Sequence, residues 1–165
     1  MISGLMYQVG MMMALLLTGV LAIQTIPPVL GAPIWVSATI TNNSDQEQVI
    51  VNPEVGVPPL ELDWKASNQA YRIAVLMSFG LIKITLRDAE NQLVESKGLM
   101  PWVTPILGKR VLQPHDNLVI DFDLNELFVI DSAGLYSLSF RYGDDAVYAN
   151  ASMDLDLRPC NTAEC

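Results

Sequence analysis

The sequence predicts an all-β protein, built as an antiparallel β-sandwich and preceded by one N-terminal apolar helix. From Pro33 onward, apolar and polar residues alternate with a period of two, which is typical of half-buried strands. Clusters of turn-forming residues separate eight or nine such segments, as expected for two packed sheets. The start of the chain differs, because Val9–Ile23 is an apolar run without a charged residue.

Residues 1–26 are predicted to form the apolar helix, which Pro27 and Pro28 would end. As a retained transmembrane anchor, a helix from Ser3 to Ile26 would reach about 35 Å, more than the bilayer core of about 30 Å. As a cleaved signal peptide, it would use the small residues around Ala22 for cleavage. Both interpretations stay open, and both place the remaining chain in the periplasm or outside the cell.

The predicted sandwich covers residues 34–157, after a Pro/Gly linker over residues 27–33. No amphipathic helix is expected after residue 33, and Leu99–Leu112, which contains two prolines, is expected to be a loop or an irregular edge. The predicted strands are Ile34–Thr41, Gln48–Val55, Leu60–Trp64, Tyr71–Met77, Leu81–Asp88, Leu93–Ser96, Leu118–Leu124, Gly134–Tyr142 and Ala146–Leu157.

Alternation along two of these strands predicts which side chains face the core. In Leu118–Leu124 the apolar residues point inward, while Asp121 and Asp123 point outward. In the strand that begins at Gly134, an aromatic and aliphatic row is expected to be core rather than a binding face. Its members are Tyr136, Leu138, Phe140 and Tyr142.

A family resemblance is carried by Leu112–Tyr142, which reads LQPHDNLVIDFDLNELFVIDSAGLYSLSFRY. This stretch resembles a segment of bacterial immunoglobulin-like sandwich domains. The shared features are a turn after L-x-P, an alternating strand, a D-L crossover and the pattern G-x-Y-x-L. The segment is similar to the pro-domains of deuterolysin-type metallopeptidases and to immunoglobulin-like proteinase inhibitors of bacilli. The resemblance implies this fold from Ile34 to Leu157. The sequence departs from the family pattern at two places. His115 stands where the family usually has Gly, and Pro101–Gly108 is an apolar insert.

The same resemblance implies a tyrosine corner in DSAGLYSL. There, Tyr136 would open a strand and its hydroxyl would bond back to the chain just upstream. Leu138 occupies the position where antibody domains carry their second Cys. The core must therefore hold without an inter-sheet disulfide.

Charge and motif content argue against several functional classes. The net charge of −9 argues against nucleic-acid binding, which needs a basic patch for phosphates. The sequence contains no G-x-S-x-G, H-E-x-x-H or Gly-rich phosphate loop, and its single histidine, His115, lies in a polar turn. We therefore expect no enzymatic activity, no cofactor and no small-molecule substrate. Alternating carboxylates such as Asp154 and Asp156 are interpreted as a solvated face, with weak calcium binding as the minor alternative.

Two features outside the sandwich pattern are candidate functional sites. Cys160 and Cys165 lie in the tail, residues 158–165, where a local disulfide is expected in an oxidising compartment. A redox or metal pair and a link to another subunit are the alternatives. The apolar stretch GLMPWVTPIL is the candidate contact surface for a protein partner, against the alternative of a loop packed across the sandwich end. Its contact residues are Met100, Trp102, Val103, Ile106 and Leu107.

These features together predict a non-catalytic accessory or structural subunit of a cell-envelope assembly. The N-terminal helix would tether it to the membrane, and the apolar loop would contact a protein partner. The alternative is a secreted binding module, such as a peptidase inhibitor or a pro-domain-like regulator, with a cleaved signal peptide.

Overall fold

The computed structural model describes residues 16–52, 68–98, 108–144 and 147–160, which form eight strands and two helices. The strands are β1 (Leu17–Ile23), β2 (Trp35–Asn42), β3 (Gln48–Asn52), β4 (Ile82–Arg87), β5 (Gly108–Leu112), β6 (Asn117–Asp123), β7 (Gly134–Gly143) and β8 (Tyr148–Leu157). The helices are α1 (Asn68–Ser78) and α2 (Leu124–Leu127). The predicted all-β class is confirmed.

Two antiparallel three-stranded sheets enclose the core, one with strand order β1-β2-β6 and the other with order β4-β7-β8. Strands β3 and β5 form a separate two-stranded ribbon. The period-two pattern sets which faces meet, because β2 buries alternate residues and β7 buries the whole predicted aromatic and aliphatic row. The prediction that this row is core is therefore confirmed.

An aromatic stack joins the two sheets at the centre of the core. The rings of Phe122 on β6 and Phe140 on β7 lie 6.0 Å apart between centroids and are inclined by 8°. Both side chains are fully buried, and their cross-strand neighbours Val36 and Ile84 are buried beside them. Offset aromatic pairs of this kind add to the stabilisation that burial alone provides.

The predicted N-terminal helix is wrong for Leu17–Ile23, which is strand β1 instead. This strand pairs with β2 from Leu17 opposite Asn42 to Ile23 opposite Val36, and Leu17 is buried. An uncharged apolar run fits a buried strand as well as a helix, so hydropathy alone did not separate the two. Within the described residues, no helix has the length and apolarity needed to cross a membrane. Residues 1–15 of the predicted helix lie outside the described residues.

Helix α1 stands where the sequence predicted a strand, Tyr71–Met77, and the expectation of no helix after residue 33 is also wrong. The helix ends in a Schellman motif: Gly80, at φ 71°, donates to the Met77 carbonyl, and Leu81 donates to the Leu76 carbonyl. Its apolar side chains are buried on almost every side, which hides the helical period in the sequence. The Gly80 cap was the available local signal.

Helix α1 and strand β1 close the two open sides of the sandwich. The helix contacts β4 and β6, the edge strands on one side, and the Gln69 side chain donates to the Asp121 carbonyl at 2.7 Å. On the other side, β1 lies against β8. The approach is so close that a Cβ atom on Gly19 would lie 2.9 Å from the Asn150 carbonyl oxygen. Both pairs of sheet edges are thereby covered.

Several elements predicted around these sheets differ from those in the structure. The expected loop Leu99–Leu112 is wrong for Gly108–Leu112, which is β5, and the predicted strand Leu93–Ser96 is reduced to isolated bridges. Residues of the predicted linker 27–33 bond to the end of β8, since Leu30 donates to the Arg158 carbonyl at 2.9 Å. The predicted strand Leu60–Trp64 lies outside the described residues.

Two buried polar side chains hold the loops at the ends of the strands. The amide of Asn42 donates to the carbonyls of Gln46, Leu112 and Gln113 at 2.8 to 3.1 Å, so one side chain joins two turns. Asp123, predicted to point outward, is instead buried, where it accepts hydrogen bonds from the Ile34 and Asn125 amides. It caps the N-terminus of α2, which explains why a carboxylate follows the inward-facing Phe122.

The hydroxyl groups of two core tyrosines anchor β7 to its surroundings. The Tyr136 hydroxyl donates to the Ser132 carbonyl at 2.7 Å, which is the upstream hydrogen bond that the tyrosine corner predicts. The Tyr142 hydroxyl donates to the Val51 carbonyl and so ties β7 to the β3-β5 ribbon. Burial raises the pKa of the Tyr142 phenol far above its ordinary value and keeps it neutral.

Replacing Tyr136 with Phe should lower the free energy of unfolding by about 1 kcal/mol, the typical net contribution of one hydrogen bond. The ring and its packing are kept, so the losses are the bond to the Ser132 carbonyl and the 3.0 Å contact with the exchangeable Ser132 hydroxyl, which water can replace. Urea unfolding of both proteins measures the difference. An unchanged midpoint would show that the corner bond contributes nothing.

Replacing Gly19 with Ala should destabilise the protein by about 1 to 3 kcal/mol, because the new methyl group meets the β8 backbone rather than a movable side chain. The matched control is Val20→Ala on the same strand, where the side chain is 62% exposed and little change is expected. Thermal unfolding compares the two variants. Equal melting temperatures would contradict a close packing of β1 against β8.

Candidate binding groove on the outer face of the β4-β7-β8 sheet

The outward face of the β4-β7-β8 sheet carries two adjacent rows of polar side chains. Register places Lys83, Arg141 and Asn150 side by side across the three strands. The next row on this face is Thr85, Ser139 and Ser152. Side chains at alternate positions of a strand share a face, so both rows point away from the core.

These rows line an open groove of about 670 Å³, named here the polar groove. Strand β1 borders the groove at Gly19, where the absence of a side chain lets β1 approach the β8 backbone closely. The lining residues are Gly19, Lys83, Thr85, Arg87, Ser139, Phe140, Arg141, Asn150, Ala151 and Ser152.

The charge of the polar groove is opposite to that of the whole chain. Three of the nine Lys and Arg residues, Lys83, Arg87 and Arg141, line it, and its lining residues include no carboxylate. The chain as a whole has a net charge of −9. Asp154 and Asp156 are exposed on the same face of β8, and Asp154 lies in the same cross-strand row as Arg87, two strands away, so the basic character is limited to the β4 side and the Lys83 end of this face. The groove is therefore a local positive site on an acidic protein.

Lys83 and Arg141 are directly opposite each other on antiparallel strands. Like charges in this arrangement destabilise a sheet, so the pair has a cost to the fold. Arg141 is held in place, since its guanidinium lies 4.6 Å from the centroid of the Tyr148 ring and its Nη2 donates to the Asp144 carbonyl at 3.3 Å. Lys83 is exposed. An anion between the two side chains would compensate for their repulsion.

A second, more apolar cavity of about 510 Å³ adjoins the polar groove and shares Lys83 and Arg141 with it. Met77, Phe79 and Leu81, at the end of α1 and the start of β4, supply its apolar lining. Phe79 is 49% exposed there. The lining also includes the acidic residue Asp144. The two cations therefore stand between a surface of hydroxyl and amide groups and a largely apolar surface that carries one acidic residue.

The lining of the groove supplies groups that can bind a polar or anionic ligand. Its hydroxyl and amide groups donate and accept hydrogen bonds, and its cations attract anions. His115 lies away from the groove, in the β5–β6 turn, where it is exposed at φ 67° with its Nε2 4.0 Å from an Asp45 carboxylate oxygen. Within the described ranges, no three His, Cys, Asp or Glu side chains are grouped as a metal site would require.

The contact residues predicted from sequence do not take part in this groove. Met100, Trp102, Val103, Ile106 and Leu107 all lie outside the described residues, and so does Cys165. Cys160 is described and half-buried, and its disulfide with Cys165 stays a prediction. The sequence pattern did place Lys83, Thr85 and Arg87 on one strand face, but only strand pairing brings Ser139, Arg141 and Asn150 beside them.

Comparisons with known proteins identify no family. No family model matches the chain, and no curated protein matches its sequence. Among solved structures, the sporulation control protein Spo0M of Bacillus subtilis is 9% identical, with a TM-score of 0.44 over 86% of this chain and 49% of its own. A β-glucosidase of Erythrobacter marinus is 11% identical, with a TM-score of 0.41 over 86% of this chain and 15% of its own. The bacterial hydrophobin BslA is 9% identical, with a TM-score of 0.37, and the match covers 95% of its chain.

Replacing Lys83 with Glu should raise the free energy of unfolding by about 0.5 kcal/mol, because the like-charge pair with Arg141 becomes an attractive pair. The control is Lys109→Glu, which makes the same change in net charge at an exposed site on β5. Urea unfolding at low salt gives both values. A Lys83→Glu protein less stable than the control would contradict repulsion within the groove.

Proposed function

We propose that this chain is a non-catalytic, immunoglobulin-like binding domain exported to the cell envelope, where it is an accessory subunit of a larger assembly. Its binding surface is the polar groove, and its partner is an acidic component of the envelope. The observation that carries the proposal is the concentration of Lys83, Arg87 and Arg141 in a groove without carboxylates, on a chain with a net charge of −9.

The cost of the groove to the fold supports a binding role. A sheet that only had to be soluble would place opposite charges across from each other, as solvated strands commonly do. Here Lys83 faces Arg141, and the cation–π contact with Tyr148 keeps the guanidinium over the sheet rather than free in solvent. Groups held in an unfavourable arrangement are typical of sites that a ligand completes.

Export remains part of the proposal, but the membrane helix predicted over residues 1–26 is not compatible with the folded domain. Leu17–Ile23 belongs to the β1-β2-β6 sheet, so these residues are not available to a membrane helix while the domain is folded. Cleavage after Ala22 would remove most of β1, including the buried Leu17. We therefore propose that the segment before Leu17 directs the chain to the membrane, and that β1 stays with the domain.

A photo-crosslinking amino acid at Ser139, in the centre of the groove, should capture an envelope component when native cells are irradiated. The control position is Val119, 52% exposed on the outer face of the other sheet, which should give no such adduct. Adducts are detected as a mass shift of the chain on denaturing gels of the envelope fraction. Capture from neither position, or equally from both, would contradict the proposed binding surface.

A further inference from the structure

We propose that the ligand of the polar groove is an acidic polysaccharide, a sugar chain that carries carboxylate or sulfate groups. The inference rests on the proposed function, because it names the chemical class of the component that the groove binds. Three features of the groove carry it: the paired cations, the row of hydroxyl and amide groups between them and Arg87, and the position of Arg87 itself.

The paired cations provide a site for one acidic group. Lys83 and Arg141 occupy directly opposite positions, where Cβ atoms of neighbouring strands lie about 5 Å apart. One carboxylate or sulfate between them can accept charge-assisted hydrogen bonds from both side chains.

The hydroxyl and amide groups suit the remaining surface of a sugar. Thr85, Ser139 and Ser152 stand in one row across the three strands, and Asn150 stands beside Arg141 in the next row. Each of these side chains both donates and accepts, as sugar hydroxyl groups do. The groove is open and polar, and its side chains offer no deep apolar pocket of the kind that anchors a peptide. The apolar cavity at Phe79 lies beyond the paired cations, outside the hydroxyl row.

A third cation extends the site in the direction of the strands. Arg87 lies four residues after Lys83 on β4, which places it about 13 Å further along the same face at about 3.3 Å per residue. Its Nη1 donates to the Asn91 carbonyl at 2.8 Å, which orients the guanidinium. Asp154 lies in the same cross-strand row as Arg87, on the far side of Ser137, and Asp156 follows it on β8, so an anion is restricted to the β4 side of this end of the sheet. The arrangement fits a chain that carries acidic groups at intervals, with its uncharged part on the hydroxyl row.

The test is titration calorimetry of the purified full chain with two matched pairs of probes. Oligogalacturonate is compared with its neutral methyl ester, and dextran sulfate is compared with dextran. We expect binding to at least one acidic probe, weakening of that binding by added salt, and no binding to either neutral counterpart. Lys83→Glu should weaken the binding by about tenfold or more, the factor that loss of 1.4 kcal/mol produces. Lys109→Glu should bind as the wild type does.

Measuring the stability of each variant together with its binding excludes unfolding as the cause of a lost affinity. Lys83→Glu must melt at or above the wild-type temperature while it loses the acidic probe, so a weakened affinity cannot come from unfolding. Ser139→Ala, which removes one hydroxyl from an exposed site, should also weaken binding and leave the melting temperature unchanged.

Any other result of these titrations contradicts the assignment of an acidic polysaccharide to the polar groove. Equal binding to an acidic probe and its neutral form, or equal loss in Lys83→Glu and Lys109→Glu, would show that the paired cations do not recognise the ligand. Tighter binding of poly-glutamate than of either acidic sugar would assign the groove to an acidic protein. If no sugar binds while Ser139 still captures an envelope component, the proposed function stands and the sugar assignment fails. If capture fails as well, both proposals fail.

Discussion

The structure depends on the contact between two small sheets, each of which can bury only one face. Phe122 and Phe140 meet at the centre of that contact, and the alternate residues of β2, β4, β6 and β7 surround them. Two three-stranded sheets leave open edges on both sides, where water would reach the core. Helix α1 covers one side, and the close approach of β1 to β8 at Gly19 covers the other. Both closures are needed because so few strands cannot shield a core by themselves.

This division of faces determines where a ligand can bind. The inward face of the β4-β7-β8 sheet is committed to the core, so its outward face is the surface free to carry polar chemistry. Lys83, Arg87 and Arg141 lie there because their positions alternate with buried residues on the same strands. A rigid sheet holds their spacing fixed, which favours recognition of a ligand whose charges have a regular spacing.

The prediction from sequence succeeded where alternation is regular and failed where a segment is apolar on all sides. The inward row of β7 was predicted residue by residue from its alternation. The hydrogen bond of Tyr136 was implied instead by the resemblance to a tyrosine corner. Leu17–Ile23 and Tyr71–Met77 were assigned to the wrong element because each is apolar with no clear polar face. In such segments local pattern gives no period, and tertiary packing decides between strand and helix. Asp123 was misplaced for a related reason, since its burial depends on α2 and on the distant Ile34 amide.

The sequence by itself determined the class of the fold, the inward residues of its regular strands and the cations carried by β4. It did so because these properties are encoded within single strands. The tertiary structure alone decided the polar groove, since Lys83 and Arg141 are far apart in the chain and meet only through the pairing of β4 with β7. It also decided that Leu17–Ile23 is an edge strand. Register, edge closure and the repulsion between the paired cations arise between elements, so no local pattern carries them.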